Sequence, residues 1–241
     1  MLSFVIILLA AVFAAANVRA GVVIEQTTTI SSRAAPPLVR NRTLMLQGDA
    51  EKFQFDDHIS VVIDANNQTA TVLDQAAKTF RELDARRILG TNLDPNRLLY
   101  MPYKSTNKTR ELLGFKCRDY TNVMYRGPIF VVTNACFSAE AAGAVDFTHF
   151  LKLLLRRPGN RPNKISPPAG MPLLIESTQK INPAFGPQDV SAEELARFKT
   201  TIAKIPPQVT QLVVTKITSE KFSPQAFNTP AGYTRRGRAL N

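Results

Sequence analysis

His58-Ile59-Ser60-Val61-Val62-Ile63-Asp64-Ala65-Asn66-Asn67-Gln68-Thr69-Ala70-Thr71-Val72-Leu73-Asp74 decides the fold class. Two runs rich in Val, Ile and Thr flank Asn66-Asn67. Asparagine tolerates the left-handed backbone that tight turns require, so the segment reads as a β-hairpin. A second turn near Gln75-Ala76-Ala77 leads into Lys78 to Leu83, which reads as another strand. Upstream, Gly21 to Ser31 is a Val-, Ile- and Thr-rich strand, and Ala34-Ala35-Pro36-Pro37 breaks it. Leu38 to Gln47 alternates well, Gly48-Asp49 turns the chain, and Lys52 to Phe55 is a short strand. Strand after strand with no helix is the rhythm of an antiparallel meander.

Downstream the pattern changes. Residues 84–110 hold the breakers Asp94-Pro95-Asn96 and Met101-Pro102, followed by a polar run from Tyr103 to Arg110. They read as a connection across one end of the sheet. Leu112 to Tyr125 and Ile129 to Phe137 form a second hairpin centred near Arg126-Gly127. Cys117 and Cys136 lie symmetrically about that centre and so fall opposite each other. Opposed Cα atoms in an antiparallel pair are about 4.5–5.5 Å apart, a span that a disulfide tolerates. Pro128 lacks an N–H, which favours a loop of about four residues over two. The competing readings are a redox pair or metal ligands. No CxxC occurs, and zinc needs more ligands than two cysteines and the distant His58 and His149.

Ser138 to Arg157 is the first helical pattern, with Ser138 as cap and Glu140 in its first turn. Phe147, Phe150, Leu151 and Leu154 recur at i, i+3, i+4 and i+7, so they make one apolar stripe. The stripe has two readings: a helix docked permanently on the sheet, or a hydrophobic lid over a cavity. Pro158-Gly159 stops the helix, and a Pro-rich loop precedes a strand from Met171 to Gln179. Ser191-x-x-Glu194 is a capping box, which opens a second helix with Leu195, Phe198 and Ile202 on its apolar face. Val209 to Lys221 is a long alternating strand.

The first twenty residues, MLSFVIILLAAVFAAANVRA, read as a secretory signal peptide with the mature chain starting near Gly21. Their apolar run is shorter than the ~20 residues a spanning helix needs. No Lys or Arg precedes that run, and an uncleaved anchor is the competing reading. An exported chain with two cysteines usually pairs them. The formal net charge is +11. Arg19, the one charged side chain in the leader, leaves with it, so the mature chain carries +10. The densest basic clusters, Arg86-Arg87, Arg156-Arg157 and Arg235-Arg236-Gly237-Arg238, are not interleaved with aromatics. That argues against nucleic acid and allows contact with an anionic membrane surface.

Catalytic signatures are missing from the sequence. There is no GxSxG elbow, phosphate loop, HExxH, EF-hand loop or GxGxxG. Asp56 and Asp57 are adjacent, and adjacent strand residues point to opposite faces, so a shared acid/base or metal site is not expected. His58 and His149 read as boundary or surface residues. No cofactor, metal or catalytic residue is expected.

Four ordered pieces carry a family resemblance. They are Val61-Val62-Ile63-Asp64 with Thr71-Val72-Leu73-Asp74 and Lys78-Thr79-Phe80; Leu113-Gly114-Phe115-Lys116-Cys117 with Cys136; Gly170-Met171-Pro172-Leu173-Leu174-Ile175-Glu176; and Phe227 with Pro230-Ala231-Gly232-Tyr233. Over residues 22–233 they resemble an exported bacterial family of unknown function that is similar to the LolA-like superfamily of outer-membrane lipoprotein carriers. The resemblance implies an α+β fold, a curved antiparallel half-barrel sheet with helices packed on its concave face. It implies an apolar space for a lipid or lipoprotein acyl chain, with Phe147, Phe150, Leu151 and Leu154 as lining candidates. The expected organisation is a signal peptide at 1–20, one domain at 21–233 and a flexible basic tail at 234–241. The expected role is a non-enzymatic periplasmic or secreted binding protein. A structural or interaction module of the envelope with a filled core is the alternative.

Overall fold

The computed structural model describes residues 20–32, 34–89, 97–126, 129–156, 167–182, 191–204 and 206–237. The expected leader lies outside them except for Ala20. Twelve strands form one curved, open sheet among the described residues. They are β1 (Ala20–Ser32), β2 (Ala35–Gln47), β3 (Ala50–Gln54), β4 (Ile59–Asp64), β5 (Thr69–Asp74), β6 (Thr79–Asp84), β7 (Lys104–Leu112), β8 (Phe115–Arg126), β9 (Ile129–Ser138), β10 (Met171–Ile181), β11 (Gln208–Lys221) and β12 (Thr234–Arg235). The spatial order is β12-β6-β5-β4-β3-β2-β1-β11-β10-β9-β8-β7. Two meanders therefore meet where β1 pairs with β11, from Ala20 opposite Lys221 to Ser32 opposite Gln208. All neighbours run antiparallel except β12, which lies parallel to β6.

Register carries one apolar face through the first meander. Ile24 faces Leu44, Leu44 faces Phe53, Phe53 faces Val61, and Val61 faces Val72. In the other direction Leu212 faces Ile175 and Ile175 faces Ala135. Helix α1 (Ala144–Leu154) packs its stripe into the same core cluster. The connection after β6 adds Ala85, Ile88 and Leu99 to that cluster. Helix α2 (Ala192–Ala203) has the expected capping box: Ser191 N donates to Glu194 Oε2 at 2.9 Å, and Glu194 N donates to Ser191 Oγ at 3.2 Å. Its surface is mostly exposed, with Leu195 and Phe198 half-buried.

Several local expectations are corrected. The 104–112 segment is an edge strand, not a connection. Its positions before Leu112 are all exposed, so water on both faces leaves no apolar period to read. It turns into β8 at Leu113 and Gly114, both left-handed with φ of 53° and 76°. In the opening hairpin the left-handed residue is Gln68 (φ 56°) rather than an asparagine, while Asp64 Oδ1 accepts Asn67 N at 2.9 Å. Pro36 and Pro37 lie inside β2 at the break in its register with β1, between Leu38 and Ala35, and because β3 pairs only with Leu44–Gln47 the β3 flank there is an open edge that tolerates proline. Arg126 pairs with Ile129, so the β8–β9 hairpin is centred one residue later than expected and its pairing runs into the expected four-residue loop. Asp119 thus faces Cys136 and the cysteines are diagonal, yet they bond at 2.07 Å with Cα atoms 5.5 Å apart. Ser138 ends β9 instead of capping a helix. Its Oγ accepts Glu140 N and Ala141 N at 3.2 Å each in the turn before α1.

Beyond β11 the chain crosses the opposite side of the first meander. Phe222 is buried and packs edge-on to Phe227 at 5.6 Å between centroids. Lys52 Nζ donates to Ala226 O at 3.0 Å. The described part of the expected flexible tail, 234–237, is seated along β6. Thr234 N donates to Lys78 O at 3.0 Å, and Arg236 N donates to Phe80 O at 2.8 Å. Residues 238–241 lie outside the described residues.

Candidate functional site

α1 is pinned at both ends. At its start, Gly143 has φ 76° and no room for a side chain, since a Cβ would lie 2.5 Å from Val22 Cγ2. Gly170 N donates to Thr148 Oγ1 at 2.8 Å. Near its end, Gln68 Nε2 from the β4–β5 turn donates to Leu153 O at 2.8 Å. The helix thus reaches from the strand opening β10 to the β4–β5 hairpin. Phe147, Phe150, Leu151 and Leu154 come together under it, all buried, with Phe150 and Leu154 at 0% exposure. They contact the sheet as core side chains, and neither of the two cavities described below touches them.

The first cavity lies at the β4–β6 end of the same sheet face and has a volume of about 400 Å³. Ile59, Val72 and Phe80 are its apolar residues, and Asp74, Arg81 and Arg236 are its charged ones. Val72 is cross-strand to Arg81, so the apolar wall and the guanidinium share a face. β12 and the residues after it bring Arg236 and Gly237 to the rim. Sequence reading missed this site because its residues come from three strands and the distant tail. The available signal was Arg81, a charge at a position in phase with Val72 once the turn after Asp74 fixes the register.

The second cavity, about 280 Å³, lies between β7 and β10 and is lined by Lys108, Arg110, Asp119, Asn134 and Glu176 among others. Arg110 Nε donates to Asp119 Oδ1 at 2.8 Å, so part of its charge is internally matched. His58 and His149 are both exposed, on the approach to β4 and on the flank of α1. Asp56 binds the backbone: its Oδ1 accepts His58 N and Ile59 N at 2.9 and 2.7 Å, and those bonds hold its carboxyl below the usual range. It is a turn former. Among the described residues no group of three or more His, Cys, Asp or Glu is placed to hold a metal ion.

With this geometry established, the chain can be set beside other proteins. Its fold is similar to that of a LolA superfamily protein, NE2245 from Nitrosomonas europaea, at 4% identity and a TM-score of 0.34. The match covers 86% of this chain and 90% of the other. It is also similar to PNGF-II in two crystal forms, at 10% and 8% identity with TM-scores of 0.40 and 0.39. There it covers about nine-tenths of this chain (89% and 90%) and spans only 31% of the PNGF-II chain. No protein-family profile matches the chain, and no curated protein matches it. At these TM-scores the likenesses carry no functional argument, which rests instead on the sheet and its cavity.

Proposed function

We propose that this chain is a non-enzymatic protein of the bacterial cell envelope that holds an apolar or amphipathic ligand against its curved sheet. The observation that carries the reading is the cavity of about 400 Å³ at the β4–β6 end, with Ile59 and Val72 on its walls. That volume lies within the roughly 300–1,000 Å³ of small-molecule sites, which are mostly apolar with a few polar groups. On this reading α1 serves as the cover over the core face of the sheet. The space under Phe147, Phe150, Leu151 and Leu154 is occupied by their own side chains, so the ligand, a lipid or an acyl chain, belongs at the open end. The disulfide suits an oxidising compartment such as the periplasm. The mature charge of +10 suits an approach to an anionic membrane, where each Lys or Arg contributes about 1 kcal/mol.

A second reading, a structural or interaction module with a filled core, is favoured by the sealing of the α1 stripe. Native mass spectrometry of the purified chain, with titration of the fluorescent apolar probe N-phenylnaphthylamine, separates the two. Co-purified lipid, or saturable probe binding that Val72→Asp abolishes, supports the carrier. A chain that is lipid-free and takes up no probe is the filled module.

A further inference from the structure

We infer that the β4–β6 cavity selects anionic amphipaths, with Arg81 and Arg236 taking a carboxylate or phosphate head group and the apolar body lying on Ile59 and Val72. This rests on the ligand-binding reading above and names the ligand's chemistry. Arg86, Arg110, Arg197 and Arg235 each meet a carboxylate, of Asp84, Asp119, Glu193 and Glu82 in turn. Arg81 and Arg236, which line the cavity, make no ion pair or side-chain hydrogen bond within the described structure. Arg235 and Arg236 are adjacent, yet only the one on the outer side of β6 is neutralised.

The one carboxylate lining the cavity, Asp74, spends Oδ1 on Ala77 N at 2.9 Å in the β5–β6 turn. Two guanidinium groups against one carboxylate leave the cavity cationic. Gly237 (φ +91°) brings the tail close to Arg81, since a Cβ there would lie 4.0 Å from Arg81 Nε. Both arginines therefore serve one rim. Both are exposed, and a guanidinium presents a planar fork that matches carboxylate and phosphate and is less strongly hydrated than an ammonium.

Arg236 reaches the rim only because β12 is in place. A ladder of two residue pairs with β6 seats that strand, flanked by the bonds from Thr234 N to Lys78 O and from Arg236 N to Phe80 O, and the Arg235–Glu82 pair that supports it is about 40% exposed on both sides. An exposed pair adds little. The wall that carries Arg236 is thus lightly held and can open for ligand exchange, and a bound anion ties it back to β6.

The test uses the full-length chain, with dodecanoate, dodecyl phosphate and uncharged dodecanol below their aggregation concentrations and binding read by displacement of N-phenylnaphthylamine. Vesicles of dioleoylphosphatidylglycerol form a separate arm. The two anions should bind at least about tenfold tighter than dodecanol, as expected when hydrogen bonds to charged groups are formed. Arg81→Gln and Arg236→Gln should each remove about tenfold of that preference and leave dodecanol within about twofold. Binding of the free anions identifies a monomeric ligand, whereas arginine-dependent binding confined to vesicles identifies a bilayer head group. Dodecanol binding as tightly as dodecanoate, or anion binding indifferent to both substitutions, overturns the head-group assignment and leaves the apolar site standing. Failure of every probe overturns the site itself.

Discussion

Phe150→Ala tests whether α1 is a fixture of the core or a lid. Phe150 is fully buried among sheet side chains at the centre of the stripe. Truncating such a phenylalanine removes its transfer free energy and leaves a cavity, at a cost of about 3–5 kcal/mol. For a domain of this size that lowers the melting temperature by about 10 °C. Val145, one turn away and 80% exposed, is the control, and Val145→Ala should stay within about 0.5 kcal/mol of wild type. The assay is urea unfolding followed by far-ultraviolet circular dichroism, with the disulfide oxidised. A lid over empty space is already poorly packed on its inner side and loses little on truncation. A Phe150→Ala variant within about 1 kcal/mol of wild type would therefore refute the packing argument and return α1 to the role of a movable cover.

Three further outcomes follow from the same structure. Replacing Cys117 and Cys136 by Ser should cost about 3 kcal/mol, given a loop closed over a separation of 19 residues; wild-type protein in dithiothreitol should match it, and insensitivity to both contradicts the bridge. Gly170→Ala should be far worse than Gly114→Ala. Both have positive φ, but a Cβ at Gly170 lies 2.5 Å from Ser138 O, whereas at Gly114 nothing lies within 4 Å; equal melting temperatures would contradict this. Tyr103 is half-buried, its hydroxyl donates to Leu98 O at 2.6 Å, and desolvation pushes its ionisation well above the ordinary tyrosine value. The unfolded chain then ionises first, so stability holds below pH about 10 and falls above it by up to about 1.4 kcal/mol per pH unit. Tyr103→Phe should remove that share of the alkaline slope, and an unchanged slope would show that Tyr103 does not cause it.

What the sequence makes legible depends on how much of each element is in water on one side only. β11 buries Leu212 and Val214 on one face, so alternation marks it, and Phe147 to Leu154 show helical spacing for the same reason, whereas β4, buried on both faces from Ser60 to Ile63, reads as a continuous apolar run. β7 has no dry face and leaves no period. Hairpin centres are harder. Arg126 facing Ile129 instead of the expected partner moved every pair by two positions, and the cysteines still met because diagonal neighbours share a face. The four stripe residues were legible as a group, but whether they line a space or fill it depends on side chains from β1, β2 and β10, which no local pattern reports. The cavity was least legible, since Val72 and Arg236 are joined only by long-range register and by a two-residue strand.

The two edges of the sheet are treated differently, and the difference bears on function. Among the described residues β7 is a free edge: it carries Lys104 and Lys108 and an irregular register between Ser105 and Thr109, devices that discourage another strand from pairing there. β6 also carries charges, Arg81 and Glu82, but keeps a regular register and is covered by the chain's own residues 234–235. A cover of two residues adds little to stability and would be a poor investment if blocking aggregation were its only purpose. It does, however, set Arg236 beside Arg81 over an apolar wall. The tail is better understood as part of a binding site than as a plug on an edge, and that is why substitution of Arg236 should alter ligand charge preference while leaving the melting temperature of the free chain nearly unchanged.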